Sequence, residues 1–191
     1  MKTISVDLMS GDSACDVRFT AVERVLQVVS DLHVILVGQQ DFIQPLIQRC
    51  DPALLHRLTV QVASQVIDMD EDPRHAMRNK KDSSMRVAID QVKLGKADAC
   101  GSAGNTGALM ATSRFVLKTV PGIDRPAIMT QFPTMQKRRV HVLDLGANVD
   151  SKPDHLLQFA IMGSVLASAA YRVERPKVGL LNVGVEEIKG N

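Results

Sequence analysis

A chain of 191 residues, 45% hydrophobic and 23% charged, is long enough to bury a sizeable core and has the make-up of a globular domain. Aromatic residues are only 3% with no Trp, and the net charge of +2 is gathered in short clusters such as Lys80-Lys81 and Lys137-Arg138-Arg139, which argues against nucleic acid as a partner. Three cysteines, Cys15, Cys50 and Cys100, stand in no CxxC or Cys/His spacing, so neither a disulfide framework nor a metal site is expected, and a reducing cytoplasm fits best.

The elements then follow in order. "TISVDLM" (3–9) and "HVILVG" (33–38) are β-branched runs, and Val22, Val25, Leu26 and Val29 recur between them at helical spacing, which predicts a β-α-β unit. The start meets Asp7 before an apolar run of signal-peptide length develops, so no export signal is expected. A strand near "LTVQVA" (58–63), a helix from about Ser84 to Leu94 stopped by Gly95, and a strand at "ADACG" come next. A helix from about Thr106 to Leu117 follows, then strands at "AIMTQF" (127–132), "VHVLDLG" (140–146) and "KVGLLNVG" (177–184). A helix from about Pro153 to Tyr171 separates the last two strands. It is apolar around nearly its whole circumference, which predicts burial on all sides, either inside the core or against a second subunit. Polar and small residues interrupt its uncharged run, and no membrane span is expected. Alternating strands and helices predict an α/β fold with a mostly parallel sheet covered on both faces, and no linker divides residues 1–191, which reads as one domain.

Ligands of open α/β sheets bind beyond the carboxyl ends of the strands. Four polar, glycine-bearing segments follow strands: "DLMSGD" (7–12), "GSAGNTGA" (101–108), "DLGANVD" (144–150) and "NVGVEEIKG" (182–190). Glycine also punctuates ordinary turns, but in the second segment it lets backbone N–H groups approach an anion, and Asn105 or Thr106 opens a helix whose dipole favours negative charge. The loop carries neither the Walker A ending nor the GxGxxG spacing. Upstream, "NKKDSSMRVAI" (79–89) sets Lys80, Lys81 and Arg86 around two serines. That stretch reads as a helix cap with a solvated basic flank, or as a second set of phosphate donors.

"KDSSMRVA", "SAGNTGALM", "LDLGANVD", "QFAIMGSVLA" and "GVEEIKG" occur in this order in the bacterial phosphate acyltransferase family of phospholipid synthesis, which the chain resembles over essentially its whole length. It departs at "DLMSGD", where Ser10 replaces a glycine of the family's "DxMGGD", and at Gly101, where a β-branched residue is common. Family members continue well past "EEIKG", so the chain is expected to be the amino-terminal portion of the enzyme, keeping the phosphate loop with little or no turnover.

The resemblance implies a three-layer α/β/α sandwich like that of phosphotransacetylases and the isocitrate dehydrogenase group. It also implies a homodimer in the cytoplasm, with peripheral contact to the inner face of the membrane. The implied partners are acyl carrier protein and inorganic phosphate, with no cofactor, since phosphopantetheine arrives on the carrier protein, and no metal. Phosphate is itself the nucleophile in the implied reaction, so the protein needs an anion cradle and oxyanion donors rather than a triad. On this resemblance the cradle is the backbone of Gly101, Gly104 and Gly107 with Ser102, Asn105 and Thr106, supported by Lys81 and Ser84. Asp144 and Asn148, with Asp12 and Asp150 as further candidates, orient donors or accept the phosphate's proton. Glu186, Glu187 and Lys189 are motif residues without an individual role. Two other readings stay open: an inactive phosphate-binding or oligomerisation module, and a dehydrogenase of similar fold, for which a carboxylate cluster and an adenine pocket are missing from the sequence.

Overall fold

The β-branched run Lys2–Asp7 (β1) and the apolar run Leu32–Gly38 (β2) form the two central strands of a parallel sheet, in register from Lys2 beside Leu32 to Asp7 beside Val37. The computed structural model describes residues 1–148 and 150–181. Leu58–Val62 (β3) pairs with the outer side of β2, and Ala99–Gly101 (β4) with the outer side of β1, giving a four-stranded sheet of order β3-β2-β1-β4. All pairs are parallel. Side chains of β2 alternate between two apolar layers: Val34 and Leu36 join one core with Phe19, Leu26, Ile43 and Leu46, while Ile35 and Val37 join another with Val87 and Ala88. That period of two is what a strand buried on both faces must show.

Five helices lie in chain order before the last strand of this sheet: Cys15–Val28 (α1), Gln40–Arg49 (α2), Pro52–Leu55 (α3), Pro73–Asn79 (α4) and Ser84–Lys93 (α5). Thr106–Leu117 (α6) follows β4. Side chains of α1, α2 and α3 build the first core, and those of α4, α5 and α6 supply Ala76, Met85, Ile89, Ala108 and Val116 to the core of the opposite face. The result is the expected three-layer α/β/α arrangement with a parallel sheet. The caps explain the boundaries. Ser83 accepts the Arg86 N–H at the start of α5, and Gly95, at φ +68°, takes the left-handed conformation that ends it. The α2 helix carries Pro45 in its interior, which removes one helical N–H, yet it buries Ile43 and Leu46.

Met1–Thr119 is one compact unit, and Val120–Asn191 is a second. In the second, Met129–Pro133 (β5) and Arg139–Leu143 (β6) pair antiparallel as a hairpin, closed by a turn in which Lys137 adopts φ +58°. Pro153–Tyr171 (α7) follows. β5 and β6 are the strands expected near 127–132 and 140–146, with no helix between them; their antiparallel pairing with each other is the exception to the mostly parallel pattern. Within this chain, α7 is covered on one face only, which rules out burial inside the core of the described residues and leaves the alternative of a second subunit open. It buries His155, Phe159 and Ala167, while Leu157, Ile161 and Val165, each four residues from the next, are 50–62% exposed. One hairpin offers a single surface, so it covers one face of the helix. Among the described residues of the expected 177–184 strand, 177–181 are unpaired and strand-free; the rest of that strand lies outside the described residues. No described helix is long and apolar enough to cross a membrane.

Candidate functional site

The sheet order dictates where to look. The chain runs outward from β1 through β2 to β3 and then returns to the other side of β1 for β4, so the carboxyl ends of β1 and β4 flank the topological switch point. The loops "LMSGD" and "SAGN" therefore come together there, though they are some ninety residues apart in sequence.

Asp7 ends β1 and is completely buried. Its Oδ1 accepts the N–H groups of Met9 and Ser10 at 3.0 and 3.2 Å, and its Oδ2 accepts the Ser102 hydroxyl at 2.7 Å. The Ser102 Oγ in turn accepts the Gly104 N–H at 3.1 Å. The loops also interlock by shape. A Cβ on Gly104 would lie 2.5 Å from Ser10 Cβ, and one on Gly11, which sits at φ +118°, would lie 2.9 Å from Ala103 O and 3.1 Å from Arg18 Nη1. Glycine is required at 104 for close approach and at 11 for both reasons. Ser10, the departure from the family pattern, is fully buried, and its hydroxyl has no hydrogen-bond partner among the described residues.

The loop leads into the amino terminus of α6. Thr106 and Gly107 are exposed, and their N–H groups, which the helix itself cannot satisfy, have no acceptor among the described residues. Arg18 stands beside this loop. Its Nε and Nη1 donate to Leu8 O and Ser13 O, both at 2.7 Å, and it forms no ion pair among the described residues. A cavity of about 350 Å³ is lined by Asp7, Arg18, Gly101 and Ser102 together with apolar residues of β1 and α1 such as Val6 and Val22. No Cβ contact would arise at Gly101, so its missing side chain leaves open space. Two free amides at a positive helix end suit an anion; Thr106 and Gly107 do not line the cavity, which Arg18 enters from α1 with two of its donors already engaged.

Other residues of the expected cradle make hydrogen bonds within the protein. Asn105 caps α6 by accepting the Ala108 N–H at 2.9 Å, and its Nδ2 donates to Met69 O and Glu71 O, both at 2.9 Å. Ser102 is engaged with Asp7 and Gly104, and Gly107 makes room for Pro73. Ser84 is wholly buried with an unpartnered hydroxyl, whereas Lys81 and Asp12 are exposed. Asp7 opens the flagged segment "DLMSGD" but was given no role of its own, and Arg18 was not singled out; the order of the strands was the missing signal.

Asn105 anchors a second layer. Lys80, not Lys81, is the organised lysine: its Nζ donates to Val66 O and to the Glu71 carboxylate, both at 2.6 Å, and His75 lies 3.1 Å from the same carboxylate. Burial pushes the Glu71 carboxyl up, and hydrogen bonds from Lys80, His75 and the Asp68 N–H outweigh it, leaving its pKa below the usual value. A carboxylate with a depressed folded-state pKa stabilises the fold above its unfolded pKa, and that contribution is lost as pH falls through the folded one. Urea unfolding from about pH 6 down to about pH 3 is therefore expected to show a loss of stability that shrinks in Lys80→Met. An identical pH profile in the variant would contradict the role given to this pair.

In the second unit, Asp144 and Asn148 do meet. Asp144 Oδ2 accepts the Asn148 backbone N–H at 2.7 Å and its Nδ2 at 2.9 Å, and Oδ1 accepts the Ile128 N–H at 2.8 Å. Asp150 is exposed. Glu186, Glu187 and Lys189 lie outside the described residues. No cluster of three or more His, Cys, Asp or Glu able to hold a metal occurs among the described residues.

Residues 2–191 match the family described as "Fatty acid synthesis protein". The chain is 55% identical over 192 residues to a "Phosphate acyltransferase" of Coxiella burnetii (strain RSA 493 / Nine Mile phase I), covering 100% of this chain and 56% of that protein. It is 54% identical over 189 residues to one of Legionella pneumophila (strain Paris) and 53% identical over 189 residues to one of Halorhodospira halophila, covering 99% of this chain and 55% of each. The chain thus spans about half the length of the curated relatives it matches. A family match over nearly every residue, with more than half of them identical in these relatives, shows that the chain belongs to the fatty acid synthesis protein family.

Proposed function

We propose that the chain carries the phosphate-holding part of an acyltransferase that moves an acyl group from acyl carrier protein to inorganic phosphate. The observation that carries this reading is the exposed amino terminus of α6, with the free amides of Thr106 and Gly107 and with Arg18 beside the preceding loop. A phosphate oxygen attacks the thioester carbonyl. The C–O bond forms, the C–S bond breaks, and the carrier thiol leaves with the proton that phosphate gives up. The protein's part is to hold the dianion and orient it, which needs fixed N–H dipoles and one cation. In the whole enzyme the Asp144–Asn148 pair is a candidate for orienting donors or taking the proton, and the exposed stripe of α7 supports a homodimer. Cytoplasmic location and peripheral contact with the inner membrane face belong to the same reading.

Inorganic phosphate is expected to bind this chain, seen as broadening of its phosphorus resonance, with sulfate competing. Arg18→Ala is expected to weaken binding about tenfold, the usual effect of losing one charge-assisted bond. No binding at about 50 mM phosphate, a dissociation constant far weaker than any substrate site, would overturn the reading.

A further inference from the structure

We infer that Asp7 is a positioning residue for the anion at the α6 amino terminus, acting through Ser102; the inference rests on the phosphate reading above. A wholly buried carboxylate is unfavourable unless hydrogen bonds offset its desolvation, and all those found here come from the two loops of the switch point. An ionised carboxylate only accepts, so the Ser102 hydroxyl hydrogen points at Asp7. The Ser102 oxygen then keeps its lone pairs for the Gly104 N–H, which fixes the turn that delivers Asn105 and the first turn of α6. Oδ1 meanwhile holds Met9 and Ser10, and Ser10 Cβ is the atom that a side chain on Gly104 would strike. One side chain thus ties both loops into a single arrangement.

The charge makes the test two-sided. As a bare negative charge near the site, Asp7 opposes anion binding, and its removal would tighten phosphate. As a positioning group, it must weaken phosphate when altered. Phosphate titrations of this chain with Asp7→Asn, Ser102→Ala, Ser102→Thr and the Asp7→Asn/Ser102→Ala double variant decide between them. The expected result is about tenfold weaker binding for Asp7→Asn and for Ser102→Ala, near-normal binding for Ser102→Thr, which keeps the hydroxyl, and a double variant no weaker than Ser102→Ala. Equal or tighter binding by Asp7→Asn, or multiplication of the two losses in the double variant, would overturn the positioning role and leave the phosphate reading standing. Failure of the unmodified chain to bind phosphate would overturn both. Should Asp7→Asn not fold, Ser102→Ala with unchanged affinity overturns the inference by itself.

Discussion

Gly104→Ala is expected to destabilise the first unit by about 3 kcal/mol, at the upper end of what overpacking costs. The new methyl would lie 2.5 Å from Ser10 Cβ, an atom fixed to backbone, and 2.9 Å from Met85 Cε, the free end of a flexible side chain. Methionine can move aside, whereas Ser10 cannot without moving its loop. The expected remedy follows from the geometry: Ser10→Gly removes the struck atom. On its own, that change relieves a buried, unpaired hydroxyl, worth about 1–3 kcal/mol, against roughly 0.5–1 kcal/mol for the extra freedom of glycine in the unfolded chain. The double variant should then recover more than about 1.5 kcal/mol beyond the sum of the two single changes, a coupling within the range for side chains in contact. Urea unfolding of the four proteins measures it, and simple additivity would mean that the loops do not interlock. The result also bears on the departure from the family's double glycine, because Ser10 is tolerated only while position 104 stays without a side chain.

Local chemistry was legible in the sequence at α5, α6 and α7, whereas the short capped helices α3 and α4 were not read. The Ser83 cap and Gly95 bound α5 close to where periodicity placed it, and α6 and α7 begin and end at the expected residues. The α2 helix was not read because Pro45 interrupts its pattern; its stability comes from Ile43 and Leu46 entering a core assembled from distant segments. Strand order is likewise a property of the assembled sheet. The bond from Ser102 to Asp7 joins residues 95 positions apart, and no spacing rule reaches that far. At α7 the sequence left two coverings open, because an all-apolar helix carries no mark of which face the hairpin covers. Within the glycine loop, the side chains of Ser102 and Asn105 hydrogen-bond to the protein itself, while the backbone amides at the start of α6, which belong to the expected cradle, stay without an acceptor among the described residues.

Asn105 separates these two accounts most sharply. As a phosphate ligand, its loss would weaken phosphate binding and leave stability almost unchanged. As the structural hub described here, Asn105→Ala removes the cap of α6, worth about 1 kcal/mol, and leaves the carbonyls of Met69 and Glu71 without their donors, for a total of about 2–4 kcal/mol. Two conservative changes divide that sum. Asn105→Ser restores an oxygen for the Ala108 N–H but no donor that reaches residues 69 and 71, so it should recover only the cap. Asn105→Asp keeps the cap and favours the helix dipole, yet turns a carboxylate oxygen toward two carbonyls, so the segment from Val66 to Asp72 should loosen while α6 stays intact. Amide hydrogen exchange reads this directly: in Asn105→Asp, faster exchange is expected around 66–72 and unchanged exchange within α6 beyond its first turn. Exchange and unfolding free energy like those of the unmodified chain in Asn105→Ala, with phosphate binding lost, would return Asn105 to the role of a ligand. Loss of stability in the predicted order, Ala most and Ser less, places the Asn105 side chain among the supports of the loop and leaves the anion to the amides of Thr106 and Gly107.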